Sequence, residues 1–231
     1  MSGKFHFQNE AYKKKVAAVE EFVKENFQTD LANFIRSRGW KEDADLCVNI
    51  VSDNLTADDV SYIQEKLGRL RHLRNSRSPL EYALDLMLGW AIEDGILEVL
   101  LSQEFSCQLS SADREREFLT RPKASSDITV DVAPGKKVLL EVVKDFEGYW
   151  AKNKKIDLRD AKYNRLKKEK GILLGLDFNN KKFFVLPTEK AKATYISSHA
   201  PYGGKPAYSI SLKEVEFHDL KELKEVLREL R

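Results

Sequence analysis

Apolar residues recur at helical spacing through the first third of the chain and switch to alternation and short apolar runs after it. Val16, Val19, Phe22, Val23 and Phe27 lie on one helical face, and a second short amphipathic unit spans Leu31 to Trp40. Thr56-Ala-Asp-Asp59 has the form of a helix start, opening an element through Arg74 with Val60, Ile63, Leu67 and Leu70 on one side. Residues 9–74 thus read as helical throughout. Ser78-Pro79 is the clearest boundary, with Pro at the first helical position launching a helix from Leu80 to Leu101. That helix is apolar almost all round and is expected to be buried, although Asp85, Glu93, Asp94 and Glu98 interrupt it.

Beyond it, Glu104 to Leu109 reads as a strand. Ser126 to Phe146 reads as a β-hairpin, two β-branched runs joined at Pro134-Gly135. Asp157 to Lys168 reads as a helix with Asp157 as N-cap and Asp160 three residues on. Two apolar runs follow, 171–178 and 182–186, split by the turn Asn179-Asn180. His199-Ala-Pro-Tyr-Gly-Gly-Lys-Pro reads as a loop, Tyr208 to Leu212 as a short strand and Asp219 to Leu230 as a closing helix. The expected fold is α+β with a mixed sheet, divided into an all-helical region, 1–77, and a core, 78–231.

One residue contradicts the hydrophobic pattern. Glu141 lies inside the apolar run of the second hairpin strand, where an unpaired carboxylate costs on the order of several kcal/mol. With a three-residue turn at 133–135, Asp127 falls directly across from Glu141, their Cβ atoms roughly 5 Å apart. Two facing carboxylates repel each other, and a divalent cation between them is the natural remedy. Hard oxygen ligands on a partly open site suit Mg²⁺.

These residues resemble the PD-(D/E)XK nucleases, which include many type II restriction endonucleases and Holliday junction resolvases. The resemblance covers roughly residues 80–187. It rests on Asp127, thirteen intervening residues and then Glu141-Val-Val-Lys144, and on the order strand, strand, helix, strand, strand that is the family's core. It implies a restriction-endonuclease-like core that hydrolyses double-stranded DNA with Mg²⁺ held by Asp127 and Glu141. Glu81, on the helix before the first core strand, is a further candidate ligand by the same resemblance. The lysine stands one residue later than in the family's spacing, which on a regular strand turns it away from Glu141. Either a bulge at Val142-Val143 restores Lys144, or Lys162 serves from the following helix; Lys144 is the first choice. Arg116, Arg121, Lys123, Arg159 and Lys205 are candidate nucleic-acid contacts. A two-fold enzyme cutting both strands implies a homodimer.

Composition narrows the alternatives. The chain has 231 residues, 42% hydrophobic and 33% charged, so it can bury a core. The net charge of +2 conceals a basic stretch, Lys152 to Lys170, with nine Lys and Arg against two Asp and one Glu, suited to a polyanion. Two cysteines, Cys47 and Cys107, have neither the number nor the spacing of a zinc site or disulfide framework, and a reducing cytoplasm is expected. No stretch targets a membrane. Phosphate-binding loops, dinucleotide fingerprints and serine-nucleophile elbows are all lacking. His6, His72, His199 and His218 read as surface residues. The competing functions are a structure-specific repair nuclease or junction resolvase, and a nucleic-acid-binding protein that has lost cleavage.

Overall fold

The computed structural model describes residues 10–70, 77–110, 114–119, 126–133 and 135–229. Arg121 and Lys123 lie outside the described residues, as do residues 71–74 at the end of the expected helix. The chain forms two compact units, 1–96 with 112–123, and 97–111 with 124–231. Most of the helix launched at Pro79 therefore belongs with the amino-terminal helices.

The first unit contains α1 (Glu10–Phe27), α2 (Leu31–Ser37), α3 (Ala44–Val51), α4 (Ala57–Leu67) and the start of α5 (Pro79–Leu101). Short polar side chains set the starts of the helices. Asp30 accepts from Asn33 N at 2.7 Å, Asp43 from Leu46 N at 2.8 Å, and Thr56 and Asp59 form a reciprocal capping box. The apolar stripes face inward, with Val19, Phe22, Val23, Ile63 and Leu67 all buried.

Arg116 corrects an expectation. It is a buried structural cation, not a surface contact for nucleic acid, with its side chain 2% exposed. Its guanidinium donates to Glu93 at 2.9 Å and to Asp94 at 2.5 Å, while Trp40 Nε1 donates to the other Asp94 oxygen at 2.7 Å. Glu93 and Asp94, two of the acids that interrupt α5, need a counter-charge, and a planar, always protonated guanidinium supplies it to both.

The second unit is built on a six-stranded sheet of order β1-β2-β3-β5-β6-β9. Its strands are β1 (Ser106–Leu109), β2 (Ile128–Ala133), β3 (Lys136–Asp145), β5 (Ile172–Asp177), β6 (Lys182–Pro187) and β9 (His218–Asp219). The hairpin has the expected register: Ile128 pairs with Leu140, Thr129 with Leu139, Val130 with Val138 and Asp131 with Lys137. β3 and β5 run parallel, and the chain crosses between them through α6 (Tyr149–Asn153), β4 (Lys155–Arg159) and α7 (Asp160–Lys168).

The crossover holds a second correction. Asp157 is not a helix N-cap but the middle residue of β4, in a three-stranded sheet of order β4-β8-β7 with β7 (Ala193–His199) and β8 (Lys205–Ser211). Ile156 and Leu158 point to the core, with Trp150, Tyr163, Leu166, Leu173, Phe184 and Ile210. Lys155, Asp157 and Arg159 alternate onto the other face. Residues 200–204 form the turn of the β7–β8 hairpin, and α8 (Leu223–Arg228) closes the fold after a 3₁₀ turn. No helix among the described residues is long and apolar enough to cross a membrane.

Replacing Arg116 with Ala leaves two buried carboxylates unbalanced. Urea denaturation of Arg116→Ala is expected to show a loss of about 3–5 kcal/mol; a loss below about 1 kcal/mol, the ceiling for typical exposed pairs, would show that the cluster is not a buried charge network.

Candidate functional site

Glu141 is the most buried charged side chain of the hairpin, 1% exposed, at the centre of β3. It lies there because β3 is a central strand, paired with β2 on one side and β5 on the other, with Glu141 beside Leu173. Lys162 of α7 forms an ion pair with Glu141 Oε1, its own side chain about one-third exposed at 32%. The helix following β4 thus carries the positive charge that makes a carboxylate tolerable in that position.

Asp127 immediately precedes Ile128, whose partner is Leu140. The same register continued by one residue puts Asp127 across from Glu141, on the same face of the sheet. Its backbone remains in the sheet, with Asp127 O accepting from Ser110 N at 2.9 Å. Asp127 Oδ2 accepts from Val142 N at 2.8 Å, so the side chain serves as acceptor just before β2 begins. Asp127 is 8% exposed.

Lys144 does not join them. The β3–β5 ladder runs without a break from Leu140 to Asp145, and the register shift in the hairpin lies in β2, between Asp131 and Ala133. With no bulge at Val142-Val143, strand alternation puts Lys144 on the face opposite Glu141. Of the two candidate lysines, the fold brings Lys162 to the acid. Glu81 makes a helix start: its carboxylate accepts from Ser78 N at 2.7 Å while its own N–H donates to Ser78 Oγ at 3.2 Å. It belongs to the first unit, and Asp127 and Glu141 to the second. Among the described residues no group of three or more His, Cys, Asp or Glu could hold a metal. Asp127 and Glu141 are a pair of hard oxygen donors, which fits Mg²⁺, an ion that keeps several waters and takes one or two carboxylates together with phosphate oxygens.

A second polar cluster occupies the outward face of the three-stranded sheet, and His199 is its unexpected member. His199 is buried, 8% exposed, and its Nε2 lies 3.1 Å from Asp157 Oδ2. Tyr149 donates its hydroxyl to the same oxygen at 3.1 Å, Lys155 Nζ lies 3.7 Å from it, and Tyr202 donates to the Asp157 carbonyl at 2.5 Å. Burial pushes the Asp157 carboxyl up, but hydrogen bonds from Ser209, His199 and Tyr149 and the charge of Lys155 outweigh it and hold the group below its ordinary value of 3.8. The signal that identifies this cluster in sequence is the alternation in Lys155-Ile-Asp-Leu-Arg159, which marks Asp157 as a strand residue. Elsewhere in the unit a cleft of about 350 Å³, lined by Trp150, Lys154, Asp177, Lys182, Lys213 and Phe217 among others, contains none of the candidate residues.

The depressed Asp157 carboxyl has a definite pH signature. A folded-state value below the unfolded one stabilises the fold above about pH 4, and that contribution is lost as pH falls through the folded-state value. The melting temperature of Asp157→Asn is therefore expected to lie below wild type at pH 7, with the gap closing as pH drops below about 4. A gap that stays constant from neutral to acid pH would contradict an ionised carboxylate held by hydrogen bonds at Oδ2.

Comparison with models of known protein families finds no match, and no curated protein is significantly similar in sequence to this chain.

Proposed function

We propose that the chain is a Mg²⁺-dependent endonuclease that hydrolyses phosphodiester bonds in double-stranded DNA in the cytoplasm, with Asp127 and Glu141 as metal ligands and Lys162 as the catalytic lysine. The observation that carries the reading is the Glu141–Lys162 ion pair, beside Asp127, on a hairpin followed by a helical crossover to a parallel strand. Strand, strand, helix, strand, strand with acids on the hairpin is the arrangement of the PD-(D/E)XK core, here with a short helix, α6, and a further strand, β4, before α7. A restriction-endonuclease-like core is the fold-level part of the same proposal.

In this reading Asp127 and Glu141 would hold the metal, which when bound would supply polarisation of the phosphate and a lowered pKa for the attacking water. The protein's own residues do the rest. Val142 N–H fixes one oxygen of Asp127, and Lys162 orients Glu141 from a flexible four-carbon stem. The Lys162 ammonium, partly exposed, can exchange Glu141 for a phosphate oxygen and stabilise charge developing there. Lys144, on the far face, has no part. The ion pair also favours one competing reading: a nucleic-acid-binding protein in which Lys162 permanently neutralises Glu141 and no metal binds.

Incubation of supercoiled and linear plasmid with the protein in Mg²⁺ decides between them. Cleavage leaving 3′-OH and 5′-phosphate ends is expected from wild type and is expected to vanish in Asp127→Ala and in Glu141→Ala, with DNA binding retained. Wild type inert in both Mg²⁺ and Mn²⁺, or cleavage surviving either substitution, would refute the nuclease assignment. The same reading makes the enzyme a homodimer, so light scattering on DNA is expected to give the mass of two chains; one chain per duplex would contradict it.

A further inference from the structure

Two of the basic residues singled out in the sequence meet at one end of the three-stranded sheet. Arg159 pairs with Ala207, and Lys205, two residues along β8, shares that face; Lys205 in turn pairs with His199. Lys162 follows Arg159 by three residues, one turn into α7. Gly203 and Gly204, with φ of +64° and +76°, form the tip of the adjoining turn in a left-handed conformation that only glycine adopts at little cost.

Tyr202, in that turn, folds back over the face. Its hydroxyl is tied to the Asp157 carbonyl, its ring packs on His199 with centroids 4.7 Å apart, and the Arg159 guanidinium carbon lies 5.9 Å from the ring centre. Burial raises the Tyr202 hydroxyl above its ordinary value, Asp157 adds to the rise, and Arg159 and Lys162 both oppose it. Arg159 Nε and His199 Nδ1 are buried with no hydrogen-bond partner among the described residues, and Lys205 is exposed with no ion pair among them. A guanidinium held against an aromatic ring is pre-organised for charge-assisted hydrogen bonds to an anionic oxygen through its terminal N–H groups.

We infer that Arg159 and Lys205 form a phosphate-gripping subsite for the DNA backbone next to the Glu141–Lys162 centre, and that Tyr202, latched to Asp157 and His199, is the positioning residue that holds the Arg159 guanidinium. The inference rests on the nuclease reading for its ligand. It adds the place where a neighbouring phosphate is held, and it makes the β7–β8 turn part of the binding surface. Of the Asp157 carboxylate, Oδ2 is engaged by His199, Tyr149 and Lys155, while Oδ1 is buried without a hydrogen-bond partner among the described residues.

The test is fluorescence anisotropy of a labelled duplex with EDTA present, so that no cleavage intervenes, across a salt series. Arg159→Ala and Lys205→Ala are each expected to weaken binding and to flatten the slope of log K against log salt by about 0.9, one phosphate contact each. Tyr202→Phe, which keeps the ring and loses the latch, is expected to weaken wild-type binding and to cause no further loss in the Arg159→Ala background, since both act through one guanidinium. A purely structural tyrosine would give losses that add. Wild-type binding with an unchanged slope in both Arg159→Ala and Lys205→Ala overturns the subsite, while the nuclease reading is judged separately by plasmid cleavage. Wild type with no salt-dependent affinity for duplex DNA overturns the subsite and the reading together.

Discussion

A carboxylate at the centre of a sheet has to be compensated, and much of the second unit is arranged around that need. Glu141 lies between β2 and β5, where solvent cannot screen it, and an isolated charge there would cost on the order of several kcal/mol. The crossover that joins β3 to β5 returns α7 over the same face and delivers Lys162 to the acid. Removing either partner leaves the other's charge unbalanced, so the pair couples the position of the helix to the chemistry of the strand. An apolar pair of similar volume would serve packing as well or better, so packing alone does not require the charge at this position.

The small sheet extends the same logic outward. Its inner face, Ile156, Leu158 and Ile210, joins the core around Tyr163 and Leu166 of α7, and so anchors the helix that carries Lys162. Its outer face is polar, tied together by Asp157 through His199, Tyr149 and Tyr202. One strand thus both seats the catalytic helix of the proposed mechanism and presents Arg159 beside it. Burial on one face and charge on the other are the ordinary consequence of strand alternation, here put to two uses.

The parts of this arrangement that were legible in sequence are those governed by local pattern. The hairpin register followed from two β-branched runs and a short turn, and α5 from the Ser-Pro start and a continuous apolar stretch. Lys162 could be named as an alternative to Lys144, but the choice turned on whether β3 carried a bulge, which the pairing with β5 decides and no local signal does. Asp157 was misread because an acid with another acid three residues later imitates a helix cap, while the strand signal in Lys155-Ile-Asp-Leu-Arg159 is only five residues long. Arg116 sits in a run of alternating charges and reads as solvated; its partners, Glu93 and Asp94, lie more than twenty residues away. β7 is an edge strand with mostly exposed residues, so it lacks the apolar alternation that marks a buried one.

The central claim is that the lysine on α7, not the one on β3, completes the site. Plasmid cleavage rates of Lys162→Ala and Lys144→Ala in Mg²⁺, each checked for native circular dichroism, test it most directly. The structure-based expectation is a fall of about 10²-fold or more for Lys162→Ala, the typical cost of removing one charge-stabilising group, and near wild-type turnover for Lys144→Ala. Loss of turnover in Lys144→Ala with activity retained in Lys162→Ala would contradict it.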